Sequence, residues 1–198
     1  MKIGVLAVQG AFLEHRAALD MLGIPSVEIR LPGQLEDLDG LIIPGGESTT
    51  IGKLCVDYGL LDPLREFSRQ KAVWGTCAGA IFLSKQAHRE QPLLGMMDTE
   101  IDRNAFGRQV DSFEADLYVN GLEDEQRPFR AVFIRAPLIA AVGESVQTLA
   151  RIESWNDRPG GIVAARQGQL LSTVFHPELT DDTRFHQYFI RMIEETTF

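Results

Sequence analysis

Short apolar runs alternate with amphipathic stretches along the first half of the chain. Lys2 to Val8 is apolar after its first residue, the pattern of a strand buried on both faces. The next segment spaces Leu13, Ala17 and Met21 four residues apart, which predicts a helix with that stripe on the core, ended by Gly23 and Pro25. Gly40-Leu41-Ile42-Ile43 reads as a second buried strand. A Pro44-Gly45-Gly46 turn and a helix from Thr49 to about Tyr58 follow it, then a helix from Leu61 to Gln70 and a strand at Ala72-Val73-Trp74. Strand and helix in alternation predict an α/β fold, with a mostly parallel sheet flanked by helices on both faces.

After Gly95 the pattern turns β-rich, with runs at Met97 to Ile101, Phe113 to Tyr118, Ala131 to Ile134, Val146 to Ile152, Ile162 to Ala165 and Leu170 to Phe175. These add antiparallel strands to the C-terminal half. Phe185, Phe189, Met192 and Ile193 share one face of a closing helix, whose start is marked by Thr180 and the two aspartates after it. No internal repeat or linker interrupts the 198 residues, so the chain reads as one domain spanning 1–198.

Composition narrows the setting. With 44% hydrophobic residues the chain can bury a substantial core. It has no apolar stretch of about 18 residues and no N-terminal cleavage pattern, which predicts a cytoplasmic protein with no membrane partner. A net charge of -9 argues against nucleic acid as a partner. Cys55 and Cys77 are too far apart and too few for a disulfide framework or a metal site.

The candidate chemistry lies in Gly75-Thr76-Cys77-Ala78-Gly79 and His176-Pro177-Glu178. The first follows a buried strand and leads into Ala80-Ile81-Phe82-Leu83, so Cys77 belongs on a sharp strand-to-helix turn, where backbone N–H groups favour a thiolate. His176 supplies the base such a nucleophile needs. In an extended segment Glu178 faces the same way and can orient the imidazole. Taken alone, a free cysteine is more often a core filler, and Cys55 between Leu54 and Val56 keeps that reading. His15, His88 and His186 lack a comparable partner and read as surface or packing residues. Pro44-Gly45-Gly46-Glu47-Ser48 serves equally as a plain turn or as the donor of a backbone N–H to an oxyanion. Arg103 and Arg135 read equally as solvated charges or as partners of a substrate carboxylate.

The two segments, in this order, resemble the signature of class I, triad-type glutamine amidotransferases, whose fold is flavodoxin-like. Val8-Gln9-Gly10-Ala11-Phe12 with Glu14-His15, Pro44 to Thr50, Arg103 to Gln109 running into Asp111 to Glu114, and Phe133 to Pro137 are similar to one branch, the glutaminase subunits of pyridoxal 5′-phosphate synthases. The resemblance implies Cys77 as nucleophile, His176 as base and Glu178 as its partner. It implies contacts to L-glutamine from Gly46, Glu47, Ser48, Arg103, Ile134 and Arg135, and an oxyanion hole at Gly46 and Ala78. It also implies no cofactor in this chain, and a separate synthase subunit, a TIM barrel, as acceptor of the ammonia. Arg69 to Val73 lacks the Gly-Lys-Pro common before the nucleophile, and 152–161 looks longer than the usual turn. The rival readings from the residues are a stand-alone cysteine hydrolase and a silent binding module of the same fold.

Overall fold

The computed structural model describes residues 1–103, 112–154 and 160–195. Residues 104–109 and Asp111 of the family-like segment, and 155–159 of the long turn, lie outside the described residues. Parallel strands form where four or five consecutive residues are apolar enough to be buried on both faces. These are β1 (Ile3–Leu6), β3 (Gly40–Ile43), β4 (Ala72–Thr76) and β12 (Leu170–Thr173). With β2 (Ser26–Ile29) they run parallel in the order β2-β1-β3-β4-β12, the flavodoxin-like arrangement.

Antiparallel pairing then extends the sheet through β11 (Gly161–Gln167), β9 (Leu138–Val142) and β6 (Met97–Asp102), with β5 (Ser84–Gln86) parallel to β6 at the edge. β10 (Gln147–Ile152) pairs with β11, and β7 (Ser112–Leu117) with β8 (Phe129–Ile134) forms a separate antiparallel ribbon. The architecture is the α/β fold expected, with its antiparallel strands in the C-terminal half.

Successive residues of β4 face opposite sides, and each side meets its own helices. Trp74 packs against His15 of α1 (Phe12–Met21) and against Phe185 and Phe189 of α5 (Arg184–Glu195). On the other side Gly75 lies against α4 (Ala78–Leu83), which packs on α2 (Ser48–Asp57), itself in contact with α3 (Leu61–Gln70). Phe129, Phe133, Phe175 and Phe185 join Trp74 in one aromatic cluster, each fully buried and contributing on the order of 2–3 kcal/mol by area. Among the described residues, no helix is long and apolar enough to cross a membrane.

Three expectations are corrected. α1 forms, but Leu13 and Met21 are 60% and 63% exposed, and His15, Ala18 and Leu19 are its buried face. A second stripe at spacings of three and four wins because His15 finds buried polar partners there. β2, β5 and β9 lie outside the expected runs: β2 and β5 are partly exposed edge strands with Glu28 and Lys85 in them, and β9 is a five-residue apolar run, alanine-containing and directly after Pro137. The closing helix begins at Arg184, where Asp182 Oδ1 accepts from the Arg184 N–H at 3.1 Å, while Thr180 belongs to the turn before it.

Candidate active site

Neighbouring parallel strands end on the same side of a sheet, so β3, β4 and β12 deliver Pro44–Gly46, Cys77 and His176 side by side. The register pairs Ile43 with Gly75 and Thr173 with Thr76, and the Cys77 N–H donates to the Thr173 carbonyl at 2.8 Å. Cys77 has φ +47° and ψ -105°, a conformation costing about 1–3 kcal/mol for a residue with a side chain. Glycines make the turn possible. A Cβ on Gly79 would sit 1.9 Å from the Ile43 carbonyl oxygen, and one on Gly75 would meet the Gly79 backbone at 2.5 Å. The helix that follows the sulfur therefore packs directly on β3 and β4.

His176 is anchored by its backbone N–H, which donates to the Val132 carbonyl of β8 at 2.8 Å. The segment after it is a short 3-10 turn (Pro177–Leu179) rather than extended, and the turn folds Glu178 back beneath the imidazole. His176 Nδ1 donates to Glu178 Oε1 at 2.7 Å, and both side chains are buried. With Nδ1 committed to the carboxylate, Nε2 is the nitrogen left for Cys77. Burial opposes charge on His176, but the Cys77 sulfur and the Glu178 carboxylate outweigh it and raise its pKa to about 10. Burial likewise opposes the Glu178 anion, yet His15 and then His176 hold its pKa below the usual carboxylate value.

Cys77 opens into a cleft of about 590 Å³ that is also lined by Gly46, Glu47, Ser48, Ala78, Arg103, Ile134, Arg135 and His176. Glu178 lies behind His176. Glu47 is the N-cap of α2, its carboxylate accepting from the Thr49 and Thr50 N–H groups, and hydrogen bonds from Thr50 and Arg103 outweigh burial to bring its pKa to about 2. Arg103 donates to Glu47 Oε1 at 3.0 Å and to Gln91 Oε1 at 2.7 Å, which aims its guanidinium along the cleft. Arg135 is exposed and held at φ +44°. A larger hollow of about 730 Å³ lies at the opposite ends of β3 and β4 beside Asp39 and Lys71, but no cysteine, serine or histidine lines it. Among the described residues no cluster of His, Cys, Asp and Glu could hold a metal ion.

Residues without a catalytic reading in the sequence complete the site. The Ala11 N–H donates to the Gly45 carbonyl at 3.0 Å, and Gln9 Oε1 accepts from the Glu47 N–H at 2.8 Å. Gln91 sits in a polar loop with no pattern to mark it. His15 and His186, read as surface or packing residues without partners, are fully buried and paired. His15 Nδ1 lies 3.0 Å from His186 Nε2, and His15 Nε2 lies 3.1 Å from Thr76 Oγ1 and 3.4 Å from Glu178 Oε2. His88 remains at the surface beside Glu100. Cys55 is core, and burial raises its pKa to about 12, so that sulfur stays a thiol.

A doubly wound sheet with a cysteine, a histidine and a glutamate gathered at its carboxyl ends is the architecture of the glutamine amidotransferase class. The chain belongs to the SNO glutamine amidotransferase family, whose model matches residues 5–195. It is 54% identical over 195 residues to the pyridoxal 5′-phosphate synthase subunit PdxT of Herpetosiphon aurantiacus, covering 96% of this chain and 99% of that one. It is 55% identical over 197 residues to the PdxT of Niallia circulans, covering 98% and 99%. A crystal structure of a glutamine amidotransferase superposes with a TM-score of 0.87 at 50% identity, covering 97% of this chain and 98% of that one. PurLQS of Thermotoga maritima, at TM-score 0.70 and 14% identity over 96% and 97%, shares the fold alone.

Proposed function

We propose that this chain is the glutaminase subunit of a pyridoxal 5′-phosphate synthase, hydrolysing L-glutamine to glutamate and ammonia. The observation that carries the reading is a strained cysteine facing a histidine whose far nitrogen is tied at 2.7 Å to a buried glutamate. The raised pKa of His176 favours an imidazolium beside the Cys77 sulfur at neutral pH. The Cys77 thiolate attacks the side-chain amide carbon, and the carbonyl π electrons move to oxygen, facing the Gly46 and Ala78 N–H groups. Collapse breaks the C–N bond as His176 gives its proton to the leaving nitrogen, releasing ammonia and leaving a thioester. A water then attacks the thioester carbon while His176 takes its proton. The C–S bond breaks, glutamate leaves and the thiolate–imidazolium pair is restored. Arg103 is the better placed partner for the substrate carboxylate, since Glu47 and Gln91 already hold its guanidinium along the cleft. Glu47, Ser48, Ile134 and Arg135 complete the glutamine contacts.

Free ammonia is protonated and lost in neutral water, so the reaction is useful only beside an acceptor. We assign that role to a TIM-barrel synthase subunit in the cytoplasm, with no cofactor held by this chain. Its docking surface includes α1, whose exposed Leu13, Ala17 and Met21 form an apolar stripe. The loop before α1 reaches the cleft through the Ala11–Gly45 bond, so docking can set the Gly45–Gly46 peptide for the oxyanion. Arg16 is a poor probe of docking because it donates to Glu28 at 2.8 Å; Leu13→Asp and Glu14→Lys are better. Glutaminase rates are expected to rise as purified synthase is titrated in, and to rise less for those variants. Equal rates with none and with excess would favour a stand-alone cysteine hydrolase.

A further inference from the structure

We infer that His15 is a positioning residue for the triad: its Nε2–H, directed by His186 behind it, holds the second oxygen of Glu178 and so fixes the carboxylate beneath His176. The inference deepens the glutaminase reading and rests on it. Glu178 Oε1 is taken by His176 at 2.7 Å. Oε2 is buried without a hydrogen-bond partner and faces His15 Nε2 at 3.4 Å, a distance that closes to a hydrogen bond with a small rotation of either side chain. A carboxylate with one oxygen bound and the other empty is free to pivot about the first.

The hydrogen-bond inventory selects the tautomer. A neutral imidazole has one N–H and one lone pair, so the two rings, 3.0 Å apart through His15 Nδ1 and His186 Nε2, allow two arrangements. If His186 donates, His15 carries its proton on Nε2, aimed at Thr76 Oγ1 and Glu178 Oε2, and only the His186 Nδ1 lone pair is left over. If His15 donates, His186 Nδ1–H becomes a buried donor without an acceptor, and a bare His15 Nε2 opposes the carboxylate oxygen. The first arrangement leaves less unsatisfied. The titratable groups facing His15 are Glu178 and His176 from the segment after β12, His186 from α5 and Glu14 on its own helix. Burial, opposed by Glu178 and aided by His176, lowers the His15 pKa, and burial with His15 lowers that of His186 further, so both rings are neutral donors near neutral pH.

The test has two arms. In ¹⁵N-histidine NMR spectra of the full chain, His15 is expected to show a protonated Nε2 and a bare Nδ1 from neutral pH down to mildly acidic pH. The opposite tautomer, or a charged His15, overturns the proposal whatever the activity. In the second arm, ammonia release is followed against pH with synthase present. His15→Leu should lower kcat about 10- to 100-fold at unchanged KM and move the acid limb of the profile to higher pH, because Glu178 loses the donor that stabilises its anion. His15→Gln, whose amide N–H reaches toward the former Nε2, should recover much of the rate and return the limb. Wild-type behaviour in His15→Leu, or equal damage in both variants with no shift of the limb, overturns the proposal. If His15→Leu fails to fold, the His15→Gln profile and the wild-type spectra still decide. Failure of the wild type to release ammonia would sink the glutaminase reading and leave the tautomer measurement standing.

Discussion

Replacing Gly45 with alanine tests whether the position of His176 is as constrained as its contacts indicate. A Cβ at Gly45 would lie 2.4 Å from His176 Cε1 and 3.3 Å from Cys77 Cβ, whereas ordinary contact begins near 3.4 Å. Gly45 is not among the glycines with positive φ, so alanine suits its backbone and the conflict is one of space. The imidazole must retreat by about 1 Å. Its retreat is opposed by the Nδ1 bond to Glu178 at 2.7 Å and by the backbone bond to Val132. A displacement of that size at a catalytic group costs about 100-fold in rate, or about 2.7 kcal/mol of barrier. The packing strain on folding is about 1–3 kcal/mol, several degrees of melting temperature for a chain of this size. The assay is steady-state ammonia release with saturating synthase, beside a thermal melt. Gly33→Ala is the control, since its Cβ would meet nothing within 4 Å and its backbone is not among those with positive φ. A folded Gly45→Ala within threefold of the wild-type kcat would refute the reasoning.

Cys77→Ala should abolish ammonia release while the melt changes little, and Cys55→Ala should stay active but lose about 1–2 kcal/mol through a core cavity, both read by the same pair of assays. His176→Asn should approach the loss in Cys77→Ala and Glu178→Gln should retain more, because the second keeps the base; equal inactivity would overturn those roles. Arg103→Lys should raise KM for glutamine about tenfold with kcat nearly kept, since lysine cannot make the paired contacts of a guanidinium, and initial-rate curves check it. Glu47→Ala should cost about 1 kcal/mol at pH 7 by uncapping α2. The Glu47 pKa is depressed from 4.5 to about 2, so its contribution is fully present above pH 4.5 and lost as pH falls toward 2. Urea unfolding of both proteins should therefore show the difference shrinking across that window.

Local patterns in the chain settle which segments are strands or helices and where the chemistry enters. Apolar runs of four or five residues mark β1, β3 and β4 because a parallel strand buries both faces, and Gly75-Thr76-Cys77-Ala78-Gly79 marks a turn too tight for larger neighbours. Periodicity alone does not say which of two stripes on α1 faces inward. The Leu13, Ala17 and Met21 stripe is the more apolar, yet the His15 face is buried, because Thr76, Glu178 and His186 arrive from 61, 163 and 171 residues away to satisfy that histidine. The same holds for Gln91, drawn to Arg103 by a hydrogen bond between loops, and for β2 and β5, which are strands because a neighbour offers them backbone partners. Side-chain spacing is a property of a few adjacent residues, whereas the value of a buried polar group depends on donors and acceptors that only the assembled sheet and helices bring within 3 Å.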